Sequence, residues 1–130
     1  MGHLDPRNRS FVYASAGHSP GYILDGSGNV KVRLESTALP LAVLPDVEFP
    51  ASDPITLQSG DMIVLLTDGL HEAESSEGAF LGLERVLDIV RANRQKKASD
   101  IVESLYRAVC DFIRPKKPAD DITAVVVKVE

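Results

Sequence analysis

Gly60-Asp61-Met62-Ile63-Val64-Leu65-Leu66-Thr67-Asp68-Gly69-Leu70-His71-Glu72-Ala73 decides how the rest of the chain is read. The apolar run Met62 to Leu66 is short and bounded on both sides by Asp and Gly. A run of that length suits a strand buried on both faces. It ends abruptly at Asp68-Gly69. The strand fixes the carboxylate, and glycine lets the backbone turn sharply beside it. A rigidly held carboxylate at a strand end suits a hard cation such as Mg²⁺ or Mn²⁺. An aspartate in this place also caps a turn through its own backbone bonds. Spacing alone leaves both readings open.

On the N-terminal side, Ile55-Thr56-Leu57 reads as a short strand. It follows a connector containing Pro40, Pro45, Pro50 and Pro54, which should be irregular because proline lacks a backbone donor. Tyr22-Ile23-Leu24 and Val30 to Leu34 flank Asp25-Gly26-Ser27-Gly28-Asn29, the pattern of a hairpin. Phe11 to Ala14 reads as a further strand, ending at the turn Gly17-His18-Ser19-Pro20-Gly21.

On the C-terminal side, Leu83, Val86, Leu87 and Val90 recur at helical spacing, as do Ile101, Leu105, Ala108 and Phe112. Ser99 is the expected N-cap of the second helix, and Pro115 ends it. The chain closes on Ile122 to Val129, a β-branched strand. Most strands come first, then two helices, then one strand. That order predicts an α+β layout without regular βαβ alternation.

A second acidic signal, Pro118-Ala119-Asp120-Asp121-Ile122-Thr123, stands just before the last strand. Adjacent carboxylates repel unless a cation or hydrogen-bond donors compensate. A solvated loop is the other reading. Asp68 and Asp120 would meet if their strands are sheet neighbours.

Gly17-His18-Ser19-Pro20-Gly21 is a formal match to the nucleophile elbow of serine hydrolases. Two features reject it. The elbow needs a helix after the serine, whereas Tyr22 to Leu24 reads as a strand. The next residue must donate its N–H to an oxyanion, and Pro20 has none. His18 reads as a buried turn histidine. The Asp25 to Asn29 segment fails as a calcium loop, with Val30 and Ser36 at the positions that need Gly and Glu. The sequence has neither a phosphate-binding glycine loop nor a Cys/His cluster with zinc spacing.

The 130 residues, 44% hydrophobic, are enough for one compact domain with a core. Charged residues make up 25% with no long run of one sign, which argues against wholesale disorder. A net charge of -5 speaks against nucleic-acid or anionic-membrane binding. Arg91, Arg94, Lys96 and Lys97 read as the solvated end of a helix. The single cysteine, Cys110, excludes an intrachain disulfide and makes a cytoplasmic setting the default. It lies in an apolar helical pattern and reads as core. No stretch approaches the ~20 apolar residues of a membrane span, and no signal peptide is evident.

In order along the chain, these segments resemble the sporulation-protein-E type of the protein phosphatase 2C-like family. Tyr13 to Pro20 matches its Tyr-Ala-x-Ala-Gly-His-x-Pro stretch. Gly60 to Ala73 matches Gly-Asp, an apolar strand and Thr-Asp-Gly-x-x-Glu-Ala. Phe80-Leu81-Gly82 matches Phe-x-Gly before a helix, and Asp120 to Val129 matches Asp-Asp-Ile-Thr with a valine-rich strand. Pro40-Leu41-Ala42 departs from the usual Pro-Leu-Gly of the connector.

The resemblance implies an α+β, protein phosphatase 2C-like layered β-sandwich flanked by helices, here incomplete at the N-terminus. It implies a metal-dependent protein serine/threonine phosphatase acting on a small phosphorylated regulatory protein, such as an anti-anti-sigma factor, in signal transduction that regulates sigma factors. It implies two Mn²⁺ or Mg²⁺ ions, with Asp68 and Asp120 as metal ligands, Asp121 as a weaker candidate beside them, and no protein nucleophile. The family's bridging aspartate lies in a Gly-Asp pair for which no match precedes Tyr13. Residues 1–130 are therefore expected to be a single domain, the C-terminal part of a catalytic domain, inactive alone and prone to self-association. A non-catalytic interaction module that kept the fold is the alternative.

Overall fold

The structure, a computed structural model, describes residues 1–40, 48–116 and 121–130. Along the chain these form β1 (Gly2–Asp5), β2 (Ser10–Tyr13), β3 (Gly21–Leu24), β4 (Val30–Leu34), β5 (Ile55–Thr56), β6 (Met62–Leu66), α1 (Asp68–His71), α2 (Leu83–Asn93), α3 (Ala98–Ile113) and β7 (Ala124–Lys128). One sheet has the order β1-β2-β5, the other β4-β3-β6-β7. All the strand pairs within them are antiparallel. The architecture is α+β.

β6 shows why the sheets stack. Met62, Val64 and Leu66 join α2 and α3 residues such as Val86, Leu87, Ile101 and Leu105 in one core. Ile63 points the other way, into a second core with Phe11, Ile23, Leu34 and Leu57. Period-two alternation thus feeds a helix-side and a sheet-side core from the same strand. Leu65 breaks the pattern at 37% exposed, as does Val125 at 46%. They line a cavity of about 330 Å³ with Phe11, Tyr13, Gly21 and Ser19, where the second layer leaves the four-stranded sheet partly uncovered.

The turn before β6 is held from inside. Gly60 takes φ 91°, open mainly to glycine. Asp61 is 2% exposed and accepts from Lys31 Nζ at 2.5 Å and from Gln58 N at 2.9 Å. Lys31 also donates to Thr56 O at 3.2 Å. A buried carboxylate with a cation and a backbone donor meets the rule that buried charges are paired.

Several expectations change. Residues 2–5 form a strand that the sequence did not suggest, because β1 exists through its register with β2, Gly2 opposite Tyr13 and Asp5 opposite Ser10. The N-cap of α3 is Lys97 rather than Ser99, and no side chain caps it. Ser99 falls inside the first turn. Arg91 is no free solvated end, since its Nε donates to Gly28 O at 2.9 Å across to the β3–β4 turn. Cys110 is half-buried and is not one of the core residues. Leu41 and Ala42 of the Pro40-Leu41-Ala42 departure lie outside the described residues. No helix among the described residues is long and apolar enough to cross a membrane.

Candidate metal site at the ends of β6 and β7

β6 pairs with β7 in the register Met62↔Lys128 through Leu66↔Ala124. The end of β6 therefore lies beside the start of β7. Thr67 closes this junction. Its N–H donates to Thr123 O at 3.1 Å, and Thr123 N–H donates to Thr67 Oγ1 at 2.9 Å. The single hydroxyl proton of Thr67 faces two carbonyls, Asp121 O at 3.3 Å and Thr123 O at 3.4 Å. The segment entering β7 is thus fastened to the residue that precedes Asp68.

Asp68 opens α1, a single helical turn. Glu72 N–H donates to Asp68 O at 2.9 Å, and Leu70, fully buried, anchors the turn in the helix-side core. Its carboxylate is 57% exposed. The strand before it and the anchored turn after it fix its backbone while its side chain faces outward.

The loop after β2 meets Asp68 from the other side. Ser15 N–H donates to Thr37 Oγ1 at 2.9 Å, and Gly17 N–H donates to Ser36 Oγ at 2.8 Å. Gly17 takes φ 76°, and a Cβ there would lie 2.5 Å from Pro40 Cγ. This packing leads the chain to Ser19, whose hydroxyl donates to Asp68 Oδ1. Ser19 is followed by Pro20 and then β3, so neither the helix nor the N–H of a nucleophile elbow is present. His18, expected to be buried, is exposed. Its Nδ1 lies 2.8 Å from Ser19 O, donating in the tautomer protonated there. His71 Nε2 lies 3.7 Å from Asp68 Oδ1, and His71 Nδ1 is buried without a partner among the described residues.

Of the acidic residues singled out in the sequence, Asp68 and Asp121 are brought to one edge. Asp120 lies outside the described residues. Among the described residues, no three His, Cys, Asp or Glu side chains converge. The groups placed at this edge are oxygen donors, the Asp68 carboxylate with the Ser19 hydroxyl bonded to it and the Asp121 carbonyl with the Thr67 hydroxyl facing it. Oxygen donors of this kind fit a hard divalent cation better than zinc or copper. Neither the place of Ser19 beside Asp68 nor the role of Thr67 as a clamp is legible in the sequence. Both contacts span about 50 positions, being separated by 49 and 56 residues, and no local pattern encodes them.

The family model for stage II sporulation protein E (SpoIIE) matches residues 1–130. The chain belongs to that family. It is 30% identical over 118 residues to phosphoserine phosphatase RsbU of Bacillus subtilis, covering 91% of this chain and 34% of that protein. The SiaA-PP2C domain of Pseudomonas aeruginosa superposes with a TM-score of 0.80 at 22% identity, over 99% of this chain and 50% of that one. The manganese-presoaked phosphatase domain of the B. subtilis cell-fate determinant SpoIIE gives 0.67 at 19% identity, over 100% of this chain and 55% of that one. The fold is that of PP2C phosphatase domains. The chain spans about a third of RsbU and about half of these two solved domains.

Proposed function

We propose that residues 1–130 are the C-terminal part of a metal-dependent protein phosphatase domain, and that the protein containing them removes phosphate from serine or threonine. The observation that carries this is the placement of Asp68 at the end of β6, directly beside the acidic entry to β7. The name of the relative RsbU, a phosphoserine phosphatase, supports the same reaction class. The substrate we propose is a small phosphorylated regulator of the anti-anti-sigma type, in the cytoplasm.

Asp68 and Asp120, with Asp121 beside them as the weaker candidate, would hold Mn²⁺ or Mg²⁺. Bound there, such ions lower the pKa of a coordinated water and neutralise charge on phosphoryl oxygens. The chain's own work is to fix that ligand set. β6 and α1 hold the Asp68 backbone, Thr67 fixes the spacing to Asp121, and the anchored Ser19 loop borders the carboxylate. No side chain here is assigned as nucleophile.

The test uses the full-length protein on phosphoserine and phosphothreonine proteins, with EDTA and with Mn²⁺ restored. Phosphate release abolished by EDTA and recovered with Mn²⁺ supports the proposal. Release that persists in EDTA overturns it. Mn²⁺ binding without turnover on any phosphoprotein favours the alternative, an interaction module on the same fold.

A further inference from the structure

We propose that Ser19 is a positioning residue for Asp68, fixing the rotamer of the carboxylate so that it meets a divalent cation in one orientation; this rests on the metal site proposed above. Asp68 has a fixed backbone but a carboxylate 57% exposed. Left to itself, such a side chain samples several rotamers. The contacts from its neighbours are unequal. His71 Nε2, at 3.7 Å, is beyond hydrogen-bond distance. Ser19 Oγ donates directly to Oδ1. With Oδ1 so engaged, Oδ2 is left as the freer oxygen of the pair.

Ser19 can do this because its own loop is rigid. Ser36 and Thr37 hydroxyls accept from the backbone of Gly17 and Ser15, and Ser15 O accepts in turn from Thr37 N at 2.8 Å and Ala38 N at 3.0 Å. Beyond Ser19, Pro20 restricts the backbone and Gly21 enters β3, where an added Cβ would lie 2.5 Å from Leu65 Cδ2. The hydroxyl is therefore presented from a fixed point to a carboxylate held at another, on elements joined through the β3–β6 pairing. Outer partners that orient a ligand commonly change metal affinity about 10- to 100-fold when removed.

The experiment titrates Mn²⁺ into the full-length protein by calorimetry for the unmodified form, Ser19→Ala, Ser19→Thr and Asp68→Asn. It also reads the Mn²⁺ concentration for half-maximal phosphatase activity, kcat and KM. Thermal unfolding in EDTA checks that each variant is folded. The expected result is about tenfold weaker Mn²⁺ binding in Ser19→Ala. The half-activating Mn²⁺ concentration shifts in parallel, and Ser19→Thr restores affinity because it keeps the hydroxyl. If Asp68→Asn loses Mn²⁺ while Ser19→Ala binds as the unmodified protein does, the positioning role is overturned and the metal site stands. If Asp68→Asn binds Mn²⁺ unchanged, the metal site fails and the role of Ser19 with it.

Discussion

Thr67 and Thr123 are joined by reciprocal hydrogen bonds at the ends of β6 and β7, N–H to carbonyl at 3.1 Å one way and N–H to hydroxyl at 2.9 Å the other. The pairing extends the β6–β7 ladder one step past its last regular pair, Leu66 with Ala124. It also sets the separation between Asp68 and Asp121. A side-chain hydroxyl serves as acceptor where a regular ladder would use a carbonyl, which frees the chain to turn outward at Asp68.

Thr67→Val keeps the shape and removes the hydroxyl. The Thr123 N–H then loses its acceptor, and stability should fall by about 1 kcal/mol in urea unfolding, the usual size for one such bond. Mn²⁺ affinity of the full-length protein should fall further than that loss explains, because the entry to β7 is no longer held. Thr67→Ser should behave as the unmodified protein. Equal behaviour of the valine and serine variants would show that the clamp does nothing for the site.

Lys31→Met leaves Asp61 buried with only the Gln58 N–H as a named partner. Lys31 is 29% exposed, so the cost sits below that of a fully buried pair, at about 1–3 kcal/mol. Replacing both residues, as Lys31→Met with Asp61→Asn, should recover part of it, since no unpaired charge remains. Urea midpoints of the unmodified chain and the two variants measure this. A single variant as stable as the unmodified chain would mean that Asp61 finds compensation elsewhere.

Asp25 gives a pH signature. Its carboxylate accepts from Asn29 N at 3.0 Å and Ser27 N at 2.9 Å, and the Asn29 bond above all holds its pKa below the usual 3.8. A depressed folded-state pKa contributes stability that is complete above the unfolded value and is lost as pH falls through the folded one. The stability gap between the unmodified chain and Asp25→Asn should therefore be constant at neutral pH and close as pH falls through the usual carboxylate value of 3.8 and below it. A gap that widens in acid would reverse the sign.

The apolar cavity around Leu65 and Val125 is where the isolated 130-residue chain is expected to self-associate. Apolar area removed from water is worth about 25 cal/mol per Å², so two such side chains matter. Light scattering should show association at rising concentration, weakened about tenfold by Leu65→Glu. A chain that stays monomeric at every concentration, with or without the substitution, would rule this out.

Legibility in the sequence followed locality. The β3–β4 hairpin was visible in Asp25 to Asn29, and β6 in its apolar run, because periodicity and turn residues act over a few positions. β1 was not visible, since Gly2-His3-Leu4-Asp5 has no alternation and becomes a strand only against β2. Lys97 displaced Ser99 as the N-cap because α3 starts earlier than side-chain capping preference suggests. His18 read as buried but is exposed, because its loop is anchored by Ser36 and Thr37 through the backbone of Ser15 and Gly17. At the site, Asp68 was legible from the strand-to-glycine transition. Ser19 and Thr67 were not, because their roles depend on which strands become neighbours.

The central claim is that Asp68 serves metal-dependent phosphate hydrolysis. The most direct measurement is the rate of phosphate release from a phosphoserine protein by full-length Asp68→Asn, at the Mn²⁺ concentration that saturates the unmodified enzyme. Loss of an orienting partner alone costs about 10- to 100-fold, so loss of the ligand itself should cost at least about 100-fold while the fold is retained. A folded Asp68→Asn protein releasing phosphate at the unmodified rate would contradict the account.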